Sequence, residues 1–325
     1  MSPSIVVTRS LPRDAVDILE RAGEVWISPH DRPLSPPELA QAVSGADAIV
    51  SFLHDRIDDA LLEAAGPGLR CVATVAVGYD NIDVGAATRR GVLVTNTPGV
   101  LTDATADLAL ALMLAVTRRL GEGERLLRSR TPWSWHLSFM LGMSLTGKTL
   151  GIVGLGDIGA ATARRARAFG MRIVYSGRRR AAPELEAELG GARHLALDDL
   201  LGVADVVSLH CPLSEATWHL IDGPRLALMR PGAYLINTAR GPIVDEQALV
   251  AALSGGLIAG AGLDVFEREP SVDPGLLSLD NVVLVPHLGS ATVETRTAMA
   301  VLAARNVAAV LGGDQPPTPV NRLAG

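Results

Sequence analysis

The stretch Thr149-Leu-Gly-Ile-Val-Gly-Leu-Gly-Asp-Ile-Gly159 constrains this chain more than any other. An apolar strand pattern over Lys148–Val153 runs into Gly154, Gly156 and Gly159, which open a helical pattern over Ile158–Phe169. A second strand pattern, Arg172–Ser176, comes next. A G-x-G-x-x-G taken alone is weak evidence; in a strand–turn–helix–strand setting it is strong. Gly154 permits the tight turn, Gly156 lets backbone approach a pyrophosphate, and Gly159 lets helix and strand pack closely. The helix start then offers unpaired N–H groups and positive partial charge to phosphates. Leu155, Asp157 and Ile158 complete the turn that would hold a dinucleotide.

The end of the following strand selects between dinucleotides. A site for NAD ordinarily places Asp or Glu there, against the ribose 2′-hydroxyl. Here the residues are Tyr175-Ser-Gly-Arg-Arg-Arg180. Ser176 can donate to a 2′-phosphate, and Arg178 or Arg179 can meet it with a charge-assisted fork. The expectation is NADP(H) as preferred cofactor, with NAD(H) also admitted. The competing explanation is a plain surface turn, because Lys148 is the only lysine and arginine supplies every other Lys/Arg cation.

Beyond this unit, short β-branched runs alternate with helical patterns almost throughout, which predicts parallel sheets covered by helices. Strands are expected at Ile5–Thr8, Glu24–Ile27, Ala48–Ser51, Leu69–Thr74 and Val92–Thr95, and a second series opens after one long helix, Thr102–Arg119. Strands of that series are expected at Val206–Leu209, Ala233–Asn237, Ala259–Leu263 and Val282–Val285. Thr131–Gly147 is not periodic and reads as a loop with a helical piece. The last helix, Thr292–Leu311, can return to the first series. The fold class is therefore α/β, with two Rossmann-like doubly wound parallel-sheet domains and the site expected in the cleft between them. The expected domains are residues 1–98 plus 289–325, discontinuous and substrate-binding, and 99–288, dinucleotide-binding. At 325 residues the chain has ample length for two cores.

Net charge excludes some partners. At −6 the chain has no broad positive field to gather phosphate backbones, so nucleic acid is not expected. Cys71 and Cys211, both in apolar surroundings, suit buried thiols in a reducing compartment, and no metal site is expected. The start of the chain lacks a basic segment followed by a long apolar one, and no apolar run would span a bilayer, so the expected location is the cytoplasm.

Three further stretches begin in predicted strands and end in turns: Ile236-Asn-Thr-Ala-Arg-Gly-Pro-Ile-Val-Asp-Glu246, Gly262-Leu-Asp-Val-Phe-Glu-Arg-Glu-Pro270 and Val285-Pro-His-Leu-Gly-Ser-Ala-Thr292. In a doubly wound sheet such strand ends border the cofactor. Together with Ala76-Val-Gly-Tyr-Asp-Asn-Ile-Asp83, Thr97-Pro-Gly-Val-Leu-Thr-Asp-Ala-Thr-Ala-Asp107, His210-Cys-Pro-Leu213 and the glycine turn, they make the chain resemble the D-isomer-specific 2-hydroxyacid dehydrogenase family over nearly its whole length. Within it the chain is similar to the glyoxylate/hydroxypyruvate reductase branch, which includes 2-ketogluconate reductase-like members.

The resemblance implies a catalytic trio of Arg240, Glu269 and His287. The chemistry asks for those types, since hydride reduction of a ketone builds negative charge on oxygen, which needs a positioned donor and finally a proton. Imidazolium at His287 supplies both, Glu269 orients the ring, and Arg240 clamps the substrate carboxylate. The resemblance further places Val77 and Gly78 N–H groups on the substrate carboxylate, with Leu53 in the pocket wall. It places Asp264 and Thr105 at the nicotinamide and Cys211 and Pro212 on the adenine side, and His210, Thr217, Thr238, Ala239, His287 and Gly289 are also expected to bind cofactor. It also implies a homodimer, in which Trp133, Trp135 or Phe139 reaches the neighbouring subunit.

Family members of other specificity differ at these positions: formate dehydrogenases carry Gln where Glu269 stands, and phosphite dehydrogenases Lys where Val77 stands. The expected reaction is NADPH-dependent reduction of glyoxylate, hydroxypyruvate and 2-ketogluconate to D-2-hydroxy acids. Related transcriptional corepressors share scaffold and trio, so the alternative is a non-catalytic, dinucleotide-sensing interaction protein. Turnover separates the two.

Overall fold

Alternating apolar strands and capped helices build two separate parallel sheets. The structure, a computed structural model, describes residues 2–323. The chain divides into two compact units, Met1–Leu101 with Thr292–Gly325, and Thr102–Ala291. These bounds fall a few residues beyond the sequence-based ones.

The first unit contains β1 (Ser4–Val7), α1 (Arg13–Ala22), β2 (Glu24–Ile27), α2 (Pro36–Val43), β3 (Ala48–Ser51), α3 (Asp59–Ala65), β4 (Cys71–Thr74), α4 (Val84–Arg89) and β5 (Leu93–Thr95). Side-chain caps fix where its helices start. Asp58 accepts from Leu61 N–H at 3.1 Å, and Asp83 from Ala86 N–H at 2.8 Å. Ser35 and Glu38 close a capping box at α2. The sheet order is β2-β1-β3-β4-β5, all parallel. Both faces are covered, so β3 and β4 are buried along their whole length.

The second unit contains α5 (Thr102–Thr117), α6 (Leu120–Arg128), β6 (Thr149–Val153), α7 (Asp157–Ala168), β7 (Arg172–Ser176), α8 (Pro183–Glu188), β8 (Arg193–His194), α9 (Leu197–Val203), β9 (Val206–Leu209), α10 (Gly223–Leu228), β10 (Tyr234–Asn237), α11 (Glu246–Ser254), β11 (Gly260–Leu263), α12 (Pro274–Leu277) and β12 (Val282–Leu284). Its sheet runs β12-β11-β10-β9-β6-β7-β8, again all parallel. Chain order therefore reverses between β6 and β9, the switch point where doubly wound sheets bind ligands beyond their strand ends.

The final helix, α13 (Val293–Gly312), belongs to the first unit. Ala300, Ala303, Ala304, Val307 and Val310 bury its inner face against Ile5, Val7, Ala48, Val50, Cys71 and Ala73. Their spacing is helical and the residues are small, which lets the helix lie close to the sheet.

The long helix expected over Thr102–Arg119 ends at Thr117, because Arg119 adopts a left-handed backbone (φ 55°) that no α-helix continues through. The helical piece expected within Thr131–Gly147 lies earlier, in α6; the later segment forms only a turn closed by Phe139 N–H to His136 O at 2.9 Å. α6 buries no residue, so its periodicity has no core to report. The helix α4, just six residues long, also carries no usable periodic signal.

The tail beyond α13 docks along β5. Val320 N–H donates to Val94 O at 2.7 Å, and Asn321 Oδ1 accepts from Val94 N–H at 2.8 Å. The Asn321 amide donates in turn to Thr88 Oγ1 and Val92 O at 2.8 and 2.9 Å. A parallel sheet would otherwise end in a row of unpaired backbone groups at this edge. Asn321→Ala leaves two of them buried without partners and should cost about 1–3 kcal/mol of unfolding free energy, read by urea denaturation. An unchanged midpoint would show that the tail contributes nothing to this edge.

Candidate active site

The glycine turn meets the switch point at close quarters. Gly154 follows β6 with φ 97°, and a Cβ there would lie 2.7 Å from Cys211 N, just beyond β9. A Cβ at Gly159 would lie 2.3 Å from Gly154 O. Both glycines are required by space. Gly156 differs: a Cβ there would meet nothing within 4 Å. Its bare backbone faces open room at the start of α7, the room a pyrophosphate needs. Thr238, beyond the end of β10, carries a buried hydroxyl with no hydrogen-bond partner among the described residues. An orphaned donor of this kind fits a bound ligand. The residues present thus fit a dinucleotide.

Leu155, Asp157 and Ile158 lie in the same turn and first helical turn, and Ser176, Arg178 and Arg179 follow β7, the strand beside β6. His210, Cys211 and Pro212 follow β9. Burial pushes the His210 imidazole down to about 4, leaving it neutral at physiological pH, with Ser208 Oγ 2.9 Å from its Nε2. Burial pushes the Cys211 thiol up to about 11 and the Cys71 thiol up to about 12, so both are inert thiols. Thr217 closes its own turn, donating to Pro212 O at 2.7 Å and accepting from Ser214 N–H at 2.8 Å. Among the described residues no cluster of His, Cys, Asp and Glu could hold a metal ion, and no helix is long and apolar enough to cross a membrane.

The three turns that carry the predicted trio stand side by side, because β10, β11 and β12 are adjacent parallel strands. After β10, Asn237 ties its turn: Nδ2 donates to Arg240 O at 2.9 Å and Oδ1 accepts from Ala239 N–H at 3.0 Å. Arg240 Nη1 donates to Ala239 O at 2.8 Å. A Cβ at the next residue, Gly241, would fall 1.9 Å from Phe266 C, so the Arg240 turn is packed directly against the β11 turn. After β11, Glu269 folds back, and its Oε1 accepts from Phe266 N–H at 3.0 Å. Its other oxygen lies 2.9 Å from His287 Nδ1. An ionised Glu269 can only accept, which puts a proton on Nδ1 and leaves Nε2 uncommitted to this bond.

Asp264 joins the β11 turn to the β12 turn. Its carboxylate accepts from Leu288 N–H at 2.5 Å and Gly289 N–H at 2.8 Å, while its carbonyl accepts from His287 N–H at 2.9 Å. His287 itself is held at φ 52°, a conformation uncommon for a residue with a Cβ. Thr105, near the start of α5, donates to Gly289 O at 3.2 Å. Arg240, Asp264, Glu269, His287 and Gly289 thus lie on neighbouring turns beyond the ends of three adjacent strands, with Thr105 of α5 bonded to one of them. Leu53, Val77 and Gly78 belong to the other unit, beyond the ends of β3 and β4, where Asn96 Nδ2 donates to Val77 O at 2.8 Å.

The sequence model of the D-isomer specific 2-hydroxyacid dehydrogenase NAD binding domain matches residues 110–289. The chain is 51% identical to a glyoxylate reductase of Thermococcus kodakarensis over 99% of its length and 97% of that protein's. Against a glyoxylate reductase of Pyrococcus furiosus the figures are 50%, 99% and 96%. The chain belongs to the D-isomer specific 2-hydroxyacid dehydrogenase family. Among solved structures, the NADPH-dependent glyoxylate/hydroxypyruvate reductase of Sinorhizobium meliloti, in complex with NADP and malonate, matches with a TM-score of 0.86. That match has 36% identity and covers 100% of both chains. As a member of this family the chain is an NAD(P)-dependent 2-hydroxyacid dehydrogenase.

Sequence reasoning missed Gly241 and Asn237 as parts of the dehydrogenase site, because their roles are contacts between turns distant in sequence. The Ala-Arg-Gly-Pro run offered one signal, a glycine where a turn does not obviously need one. Burial pushes the Asp264 carboxyl up to about 6 from 3.8, against the pull of the Leu288 N–H. Between those values the folded chain binds more protons at this site than the unfolded one. Its contribution is therefore full below about 3.8 and is lost as pH rises through about 6. Urea titrations of the parent and Asp264→Asn from pH 4 to 7 should show their stability difference shifting toward the Asn variant as pH rises. A difference that stays flat refutes the assignment.

Proposed function

We propose that this enzyme is an NADPH-dependent reductase of small 2-keto acids, glyoxylate and hydroxypyruvate first and 2-ketogluconate also, giving D-2-hydroxy acids. The reading rests on one observation above all: His287 Nδ1 is 2.9 Å from the Glu269 carboxylate, on turns packed beside Arg240. Its relatives support the substrate class, since several at about half identity are glyoxylate reductases.

In this mechanism Arg240 pairs with the substrate carboxylate and shares the carbonyl oxygen, fixing the keto carbon in place. Backbone N–H groups at Val77 and Gly78 hold the carboxylate, and Leu53 forms an apolar wall. Glycines 154 and 156, the start of α7, Thr238 and Asp264 hold the dinucleotide, and the reduced nicotinamide supplies hydride when bound. As negative charge builds on the carbonyl oxygen, protonated His287 donates from Nε2, and the Glu269 carboxylate stabilises the ring while it is charged. The ring ends neutral and regains its proton from solvent. Arg178 and Arg179, with Ser176, read the 2′-phosphate. The sequence at the end of β7, Tyr175-Ser-Gly-Arg-Arg-Arg180, has no Asp or Glu where an NAD site ordinarily has one, which supports NADP(H) over NAD(H).

A homodimer completes this reading. Trp133, Trp135, Leu137 and Leu141 are all exposed on a segment without helix or strand, Leu137 at 87%. So much apolar side chain on one stretch suits burial against a second copy. Leu137→Asp should shift sedimentation from dimer toward monomer; a parent chain that sediments as a monomer ends the proposal.

Steady-state assays with glyoxylate, hydroxypyruvate, pyruvate and 2-ketogluconate, each with NADPH and NADH, test the function directly. NADPH should give the higher kcat/KM with the first two substrates. His287→Ala should lose on the order of 10²–10⁴ in kcat while still quenching tryptophan fluorescence with NADPH. Near-full kcat in that variant removes His287 from the chemistry, and no oxidation of either cofactor across the panel favours a dinucleotide-sensing binding protein.

A further inference from the structure

The turn after β7 has three arginines in succession, and one of them is committed elsewhere. Tyr175, the penultimate residue of β7, is 1% exposed, with its ring 5.1 Å from that of His194. Its hydroxyl donates to Glu186 Oε1 at 2.5 Å and accepts from Ala181 N–H at 2.8 Å. Glu186, the one buried side chain of α8, accepts from Arg180 Nε at 2.9 Å and Nη2 at 2.8 Å, a bidentate fork. His194 Nε2 lies 3.1 Å from Gly177 O. The turn is thus pinned at Gly177, Arg180 and Ala181. Between those pins stand Arg178 and Arg179, both exposed and without an ion pair to any described residue.

We propose that Tyr175, Glu186 and Arg180 form a clamp that sets cofactor choice: it removes Arg180 from phosphate recognition and holds the turn so that Arg178 and Arg179 read the 2′-phosphate. These are positioning residues, and the inference rests on the NADP(H) reading above. Two physical points favour a clamp over a third phosphate-reading cation. The fork to Glu186 takes Arg180 Nε and Nη2, fixes the plane of the guanidinium and matches its charge, so Arg180 offers a phosphate less than Arg178 or Arg179. Glu186 is also the buried acid packed against the turn, and unpaired it would repel a phosphate, so its pairing with Arg180 cancels a charge that opposes the ligand. The carboxyl is drawn down to about 2, first by the Arg180 bond and then by Tyr175, and stays ionised at any working pH.

The test measures binding without turnover, by calorimetric titration of 2′,5′-ADP and of 5′-AMP into the full chain. The parent should bind 2′,5′-ADP tighter than 5′-AMP by on the order of tenfold or more. Tyr175→Phe alters no charge yet removes two of the clamp's bonds. It should weaken 2′,5′-ADP by roughly three- to tenfold and leave 5′-AMP within about twofold. Glu186→Gln, close in shape, covers the case in which the tyrosine variant does not fold. The clamp predicts weaker 2′,5′-ADP binding there too, whereas an Arg180 released to read phosphate predicts tighter binding. Equal binding of both nucleotides by the parent overturns the NADP(H) reading and the clamp with it. Selective binding by the parent with Tyr175→Phe unchanged, or Glu186→Gln tighter, overturns the clamp alone.

Discussion

Three parallel strands that end side by side govern the chemistry of the second unit. Because β10, β11 and β12 run the same way in register, their turns emerge in a row, and a side chain from each can act on one small molecule. Position alone would leave the three turns free to move independently. Two contacts prevent it. Gly241 brings the Arg240 turn against the backbone of Phe266 and Glu267, and Asp264 binds the N–H groups of Leu288 and Gly289. The imidazole–carboxylate pair is the product of this stitching, since Glu269 comes from one turn and His287 from the next. Such support matters because a displacement of about 1 Å can cost two orders of magnitude in rate.

The cost appears in the backbone. His287 sits at φ 52°, a conformation that L residues avoid, and it stays there because its N–H and those of the next two residues all bond to Asp264. Glycine would relieve that strain and remove the imidazole. The Asp264 carboxylate, 1% exposed, is itself costly to ionise there, which is why burial moves it so far from its ordinary range. Strain at one residue and desolvation at another are both carried for the sake of one ring orientation.

Much of this was readable from sequence because local chemistry and position coincide. Gly154 and Gly159 are forced by contacts within a few residues of each other or across the switch point, and the motif spacing records them. The strands were readable for the same reason: each is a short apolar run flanked by turn residues. What escaped reading is non-local. The break at Arg119 is set by a backbone conformation with no sequence marker, and α6 lacks a buried face to give it a period. Glu186 reads in sequence as an ordinary surface acid of a short helix; only folding places it beneath Tyr175 and beside Arg180.

That last case bears on how dinucleotide preference is inferred at all. Counting cations after the second strand of the fold gives this chain three, but only two of them lack an ion pair to a described residue, because the third neutralises a buried acid. A buried carboxylate without a partner would be forced toward its neutral form, or would unsettle the strand it packs against. An arginine close by in sequence satisfies it, and the same bond fixes the turn that precedes it. Charge at such a site is therefore set by what remains after internal pairing, and the sequence supplies only the gross count.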